Sequence, residues 1–374
     1  VIGVKVAVIG MGLIGGSLLR ALAEGGHWAI GYDLDPATRA MARTGAAQAP
    51  REHRWQVAPT IADAVGPADL VVIATPLTAV AHVLDGIANA GYAGLVTDVV
   101  SVKQPVRELV ARRLRGGGVR LAGYVGGHPM AGRETAGFAA ADPALFRGCA
   151  WVLCLDEESD DVVGRGLSGS DDVVGRGITG SDDVGRRGMT GSDGVAGRGL
   201  LATNLDDWLT LARLLTGLGA RVVPTTAEDH DRVVATISHV PHLLAAALAT
   251  AVNDPLAGTL AAGSFRDGTR VAGTSSDLIA TMCGGNAGPV LDALDAIMAS
   301  LDEVRVALDS DDPISAVRRW AAPAQAARAT WPRGWGDPRQ IPATINDLLD
   351  LGDEGGWITA ISPDARTVTA VRPI

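Results

Sequence analysis

The sequence predicts a doubly wound parallel α/β domain, then an all-helical domain, then a small β-containing C-terminal appendage. Three observations carry this reading. Short, continuously apolar runs alternate with helix-period stretches through the N-terminal part. Two long helical stretches follow Ala227, and the chain ends in two alternating runs around Ser362-Pro363-Asp364.

The first apolar run leads into Gly10, and apolar positions at helical spacing follow from Leu13 to Leu22, giving a strand, a tight turn and a helix. A second strand spans Trp28 to Tyr32 and ends at Asp33. A third, Asp69 to Ala74, ends at Thr75-Pro76, and a fourth covers Gly94 to Val99. Continuously apolar strands separated by helices indicate a parallel sheet covered on both faces. The pieces LAGYVGGHP and CAWVLCLD read as further strands of the same sheet.

An 11-residue tandem repeat then interrupts the domain: SDDVVGRGLSG, SDDVVGRGITG, SDDVGRRGMTG and a decayed fourth copy fill residues 159–201. Each unit has few apolar residues among Gly, Ser, Asp and Arg, too few to offset the entropy of ordering it, so a solvated insertion is expected. The nonapeptide pattern of calcium-binding repeats does not match. After it, LDDWLTLARLLTGLGARVVPT reads as an amphipathic helix closed by Gly217 or Gly219, then a strand. The expected division is a dinucleotide-binding domain at 1–226, a helical domain at 227–310 and an appendage at 311–374, where Ser362-Pro363-Asp364 marks a hairpin.

With 374 residues, 47% of them hydrophobic, the chain can bury sizeable cores. Its formal net charge of −10 repels polyanions, so nucleic acid is not an expected partner. Gly residues and Lys5 break the apolar N-terminal run, so neither an export signal nor a membrane span is read there. Cys149, Cys154 and Cys283 lack zinc-site spacing and read as small buried hydrophobes, which fits a reducing cytoplasm. Metal is not expected: His239 and His242 lie three apart on one helix with no completing ligand.

The glycine motif carries the first chemistry. Gly10-Met11-Gly12-Leu13-Ile14-Gly15 follows a strand and opens a helix, and Asp33 ends the next strand. In this context Gly10 permits the tight turn, Gly12 admits a pyrophosphate and Gly15 allows close packing, which makes the domain Rossmann-type. Asp33 can accept from a ribose hydroxyl and repels a 2′-phosphate, with no arginine directly after it, so NAD is favoured over NADP. Thr75 and Pro76, at the end of the third strand, complete the cofactor candidates with Leu13 and Ile14.

TDVVSVK places Ser101 and Lys103 at the carboxyl end of the fourth strand, facing the cofactor crevice. GGHPMAG fixes His128 between a glycine pair and Pro129, again at a strand end. A histidine there can accept a hydroxyl proton as hydride leaves the adjacent carbon, and Ser101 could orient its ring.

The runs GMGLIGGSL, TDVVSVK, GGHPMAGRE and His230-Asp231 to Ser238-His239-Val240-Pro241-His242 resemble the prephenate dehydrogenase family, which includes the arogenate dehydrogenases of tyrosine biosynthesis. The resemblance spans about 1–157 and 203–310 and leaves out the repeat and the tail. It implies NAD-dependent oxidative decarboxylation of prephenate to 4-hydroxyphenylpyruvate, or of arogenate to tyrosine. It implies His128 as the catalytic histidine, Ser101 as its partner, His242 as lining the substrate pocket and Arg270, in SFRDGTR, as holding a substrate carboxylate. Glu134 matches an acidic position near the substrate, whereas Arg133 stands where many members carry a small hydroxyl residue. Ser276-Asp277-Leu278 also departs, lacking the family's usual aromatic residue there.

Two rival readings are distinguishable on residues. A hydroxyacid dehydrogenase of similar build needs a lysine on its helical domain, and the chain has none beyond Lys103. A non-catalytic NAD-binding scaffold would work through the repeat and has no need of Ser101, His128 and Arg270. The broad apolar stripe of VLDALDAIMASLDEVRVAL predicts a homodimer built by helix packing. The tail could bind a regulatory amino acid.

Overall fold

The computed structural model describes residues 3–116, 121–132, 135–156 and 203–374. The repeat, Arg133 and Glu134 lie outside them.

Alternation of β1 (Lys5–Ile9), α1 (Leu13–Glu24), β2 (Trp28–Tyr32) and α2 (Pro36–Gln48) follows the expected βα units. Next come β3 (Gln56–Val57), α3 (Ile61–Val65), β4 (Leu70–Ile73), α4 (Leu77–Asn89), β5 (Leu95–Asp98), α5 (Gln104–Arg115) and β6 (Gly123–Val125). These six strands form one parallel sheet in the order β3-β2-β1-β4-β5-β6. The order of growth reverses between β1 and β4, and it is in the crevice at the carboxyl ends of such a switch point that open α/β sheets bind ligands. Successive residues of β1 enter two different cores. Val6 and Val8 pack with α1, whereas Ala7 and Ile9 pack with the α3, α4 and α5 side.

The two pieces expected to extend this sheet do not both do so. LAGYVGGHP splits at Gly126: β6 ends the first sheet, and β7 (Gly127–Pro129) begins a second. That second sheet runs β10-β12-β11-β9-β8-β7, with β8 (Ala150–Cys154) and β9 (Arg221–Thr225) its only parallel pair among the described residues. Between β8 and β9 comes α6 (Leu205–Gly217), which sits between the two sheets and buries Trp208, Leu211 and Leu215 in their shared core. Of the two glycines that could close α6, Gly219 adopts the left-handed conformation, at φ +86°.

The helical part starts with α7 (Ala227–Val234) and α8 (Val240–Ala249), joined by a five-residue π-turn, Ala235–His239. Pro241 explains the turn: it has no N–H for the helix ladder and its ring crowds the preceding turn, so one extra residue bulges out. By length and composition alone the run Ala227–Ala249 is apolar enough to cross a membrane. It nevertheless buries His230, Asp231 and His239 against the rest of the protein.

Short α9 (Pro255–Leu260), α10 (Gly263–Thr269) and α11 (Ser276–Gly285) lead to α12 (Ala287–Leu308) and α13 (Pro313–Ala329). A single residue of α12, Val290, is buried, while Leu291, Met298, Leu301 and Val306 stand about half or more exposed. The apolar face predicted from the sequence is therefore uncovered in one chain.

The tail contributes β10 (Arg339–Pro342), α14 (Ile345–Asp353), β11 (Trp357–Ile361) and β12 (Thr367–Val371). The hairpin at Ser362-Pro363-Asp364 forms, with the Ser362 hydroxyl bonded to the Asp364 carboxylate at 2.7 Å. It is no free-standing appendage, because Ile358 pairs with Val222 of β9 and the tail strands widen the second sheet. A Cβ on Gly352 would meet the Pro224 carbonyl oxygen at 1.8 Å, so α14 lies directly on the β9 backbone.

Candidate active site

At the β1–α1 turn the three glycines behave differently. Gly10 sits at φ +102°, and a Cβ there would meet the Ala74 carbonyl oxygen at 2.5 Å. On Gly15 it would meet the Gly10 oxygen at 1.9 Å, whereas on Gly12 it would enter open space. The first two shape the turn, and the third leaves room for a ligand. No side chain caps the N-terminus of α1, so its first N–H groups stay available to an anion. Across the crevice, the hydroxyl of Thr75 is buried without a hydrogen-bond partner among the described residues. Open space at Gly12, an uncapped helix end and an orphaned hydroxyl together fit a dinucleotide phosphate. We expect Gly12→Ala to fold normally but bind nucleotide about tenfold or more weakly, and Gly15→Ala to lower stability as well. Nucleotide titration beside thermal melting separates the two.

Asp33 stands at the end of β2, where its carboxylate accepts from the Met11 N–H (2.7 Å) and from the Asp35 N–H (2.9 Å). Arg39 belongs to no motif of the sequence. Its guanidinium donates to the carbonyl oxygens of Asp33 (2.6 Å) and Leu34 (3.0 Å), which turns it onto the backbone at the ribose end of the crevice. Leu13, Ile14 and Thr75 are partly exposed around the glycine loop, and Pro76 is exposed at the start of α4.

The end of β5 differs from expectation. Lys103 was expected to face the crevice but is 1% exposed, enclosed by an ion pair to Asp98 and a hydrogen bond to the Gly127 carbonyl. Asp98 in turn accepts from the Tyr124 hydroxyl at 2.6 Å. Burial and that carboxylate push the tyrosine well above its ordinary value. A lysine in a chain whose basic residues are otherwise nearly all arginine, five residues from an aspartate in an apolar run, was the available signal.

His128 lies half-buried on β7, opposite Val152 of β8. Its Nδ1 is 2.9 Å from Nε2 of His230, whose Nδ1 is 2.8 Å from the Asp231 carboxylate. The group at His128 Nδ1 is thus a histidine 102 residues distant in sequence rather than Ser101. Ser101 remains partly exposed at the end of β5. His230, marked in the sequence only as part of the resembling run, is the ring partner. Nothing local in the sequence links residues 128 and 230.

Asp231 is enclosed, and its carboxylate has three partners: the His230 ring and the N–H groups of Lys103 and Gln104, the last two each at 2.8 Å. Its own carbonyl oxygen accepts from the Asn286 amide at 2.7 Å, and Asn286 also contacts His239 at 3.2 Å. Thus α7 is tied both to β5's end and to the start of α12. His242 is half-buried on α8, with Nδ1 at 2.8 Å from the Ser238 carbonyl, so its Nε2 faces away from its own helix. Arg270 is exposed in the turn Arg270–Gly273, which packs on α8, the helix that carries His242.

Burial lowers all three inner histidines. His128 falls well below 6.5, first from desolvation and then from His230, Lys103 and His239. His230 is lowered by burial despite the opposing pull of Asp231, and His239 drops to about 4. The base forms therefore prevail near neutrality. Since the unfolded chain takes up protons near 6.5 and the folded chain resists them, stability is complete above about 6.5 and declines as pH falls. For His239 the decline ends near 4 and is on the order of 3 kcal/mol. Denaturant melts at pH 7.5 and 4.5 check this, and His239→Gln should flatten the slope.

A family model described as "Prephenate dehydrogenase, nucleotide-binding domain" matches residues 18–163, and one described as "Prephenate dehydrogenase, dimerization domain" matches residues 226–319. The Bacillus subtilis prephenate dehydrogenase is 27% identical over 367 residues, covering 96% of this chain and 83% of its own. A solved Corynebacterium glutamicum structure, assigned by its description to prephenate dehydrogenase, is 30% identical with a TM-score of 0.67, covering 88% of this chain and 89% of its own. A Synechocystis arogenate dehydrogenase structure is 25% identical with a TM-score of 0.60, covering 87% and 99%. Nucleotide-binding domain, dimerisation domain and full-length similarity converge, and the chain belongs to the prephenate dehydrogenase family.

Proposed function

We propose that the protein is an NAD-dependent prephenate dehydrogenase, converting prephenate to 4-hydroxyphenylpyruvate and carbon dioxide, with His128 as the base. The single observation that carries this is His128 Nε2: its Nδ1 is held by His230, and Nε2 makes no hydrogen bond among the described residues. A neutral imidazole with one nitrogen anchored and the other available suits proton abstraction from a hydroxyl.

Bound NAD⁺ supplies a hydride acceptor. The rest falls to the protein. His128 takes the proton of the ring hydroxyl as the adjacent carbon is oxidised, and the ring carboxylate leaves as carbon dioxide while the ring becomes aromatic. Arg270 and His242, on neighbouring elements of the helical part, are proposed to hold the substrate acid. A planar guanidinium binds a carboxylate in two parallel hydrogen bonds and stays charged when shielded from water. Ser101 is proposed to border the substrate beside His128. We expect Arg270→Gln to raise KM by about 50-fold, roughly the loss of one charge-assisted pair, with a smaller change in kcat. Steady-state kinetics on purified protein checks the split.

Asp33 supports NAD over NADP, because a second negative charge beside this carboxylate and Asp35 is repelled, and Arg39 is already engaged by backbone carbonyls. The uncovered faces of α12 and α8 support a homodimer joined through the helical part. Three free thiols support work in a reducing cytoplasm.

The test is a matrix of initial rates with prephenate and arogenate, each with NAD⁺ and NADP⁺. The proposal expects the fastest turnover with prephenate and NAD⁺. Faster turnover with arogenate reassigns the substrate, and no turnover with either ends the reading.

A further inference from the structure

Three side chains are joined in series, Asp231, His230 and His128, by contacts of 2.8 and 2.9 Å. The order of donors along that line follows from the groups themselves. Asp231 receives two backbone N–H groups, from Lys103 and Gln104, as well as the His230 ring, so it behaves as an ionised acceptor. His230 must then carry its proton on Nδ1. A neutral imidazole has one N–H, which leaves His230 Nε2 as a lone pair, and among the described residues the group presented to it is His128 Nδ1. His128 therefore donates from Nδ1, and its own lone pair lies on Nε2.

We propose that His230 and Asp231 are positioning residues for His128: they fix it as the Nδ1–H tautomer, with Nε2 free to accept, and they take up the positive charge that proton abstraction creates. The proposal rests on the reading of His128 as the base. The substrate O–H bond breaks and its proton goes to His128 Nε2, while the His128 Nδ1 proton passes to His230 Nε2. His128 ends neutral with its tautomer reversed, and the charge resides on His230 beside the Asp231 carboxylate. Oxidation of the substrate carbon by the nicotinamide accounts for the two electrons.

The location makes the transfer useful. An imidazolium left on His128 would lie next to the Lys103 ammonium, which already opposes protonation there, and beside His239. One residue further on, the charge meets a carboxylate at 2.8 Å. The groups facing this line are Lys103, Asp98 and Tyr124 from the first-sheet side, Cys154 from β8, and His239 from the π-turn. The carboxylate among these groups is Asp98, which is paired with Lys103, whereas Asp231 stands at the end of the line itself. Asp231 is thus the available counter-charge.

The experiment uses the full chain with ¹⁵N-labelled histidine. Long-range ¹H–¹⁵N spectra report which ring nitrogen of each histidine bears the proton, without any substrate. The wild type is expected to show His128 protonated at Nδ1. His230→Gln retains a carbonyl acceptor for that N–H but cannot be protonated, so the tautomer should persist while kcat falls by about 10- to 100-fold. Removing one of two sites for the proton also lowers the proton affinity of the cluster, so the acid limb of the kcat profile should move to lower pH. His230→Phe removes the acceptor as well, so the tautomer preference should disappear and kcat should fall by about 1,000-fold.

A wild-type His128 protonated at Nε2 overturns the proposal. So does a His230→Gln enzyme with wild-type kcat and an unmoved acid limb. A wild type inert toward prephenate and arogenate would instead remove the proposed reaction, while the tautomer spectra would still decide the arrangement of the three groups.

Discussion

His128→Asn lowers kcat by about 1,000-fold or more, the scale expected for removing a positioned base, while affinity for NAD stays at the wild-type value. Asparagine fills much of the same space and can still donate toward His230, so the β7–β8 pairing and the helix contacts survive. What it lacks is a basic nitrogen at Nε2. The nucleotide loop lies on the β1–α1 turn and depends on Gly10, Gly12, Gly15 and Asp33, none of which touches the imidazole. Stopped-flow turnover together with nucleotide titration measures the two arms. Retention of full turnover would falsify the base assignment, and loss of nucleotide binding in parallel would mean that the variant had damaged the fold.

Lys103→Met lowers folding stability by about 3–5 kcal/mol, the usual result of removing one partner of a buried ion pair. Lys103 and Asp98 are 1% and 0% exposed, and Asp98 keeps only neutral donors once the ammonium is gone, the Tyr124 hydroxyl at 2.6 Å and the Val100 N–H at 2.8 Å. An ionised carboxylate without a counter-charge in that setting is costly, or it takes up a proton. Adding Asp98→Asn to Lys103→Met should therefore recover part of the loss, because the remaining group is neutral and can still meet its donors. Urea unfolding of the three variants gives the comparison. A loss under about 1 kcal/mol for Lys103→Met would contradict the account of an enclosed pair. The lysine also depresses His128, so its removal should raise the acid limb of the activity profile, opposite in sign to His230→Gln.

Those two residues illustrate what was legible in the sequence and what was not. The glycine loop and Asp33 at the end of β2 follow from local pattern, apolar strand, turn chemistry and helix period, each decided within about twenty residues. His128, expected after a strand of the first sheet, lies instead within β7 of the second. The partner of His128 is decided by packing between β7 and α7, and the local pattern offered Ser101 in its place. Lys103 was placed at the correct strand end but on the wrong side, since its direction depends on Asp98 and Gly127 closing around it. The second sheet escaped for a similar reason. β7, β8, β9 and the tail strands come from three separated stretches, and the rule that successive strands are neighbours pointed to the first sheet. The π-turn did leave a trace, in Pro241 within an otherwise uninterrupted helical pattern.

The most direct test of the central claim is the stoichiometry of a single reaction. Purified protein, prephenate and NAD⁺ should give NADH and carbon dioxide in a one-to-one ratio, with 4-hydroxyphenylpyruvate as the organic product, and the His128→Asn variant should give neither. Carbon dioxide without NADH, NADH without carbon dioxide, or equal release by the variant would contradict it.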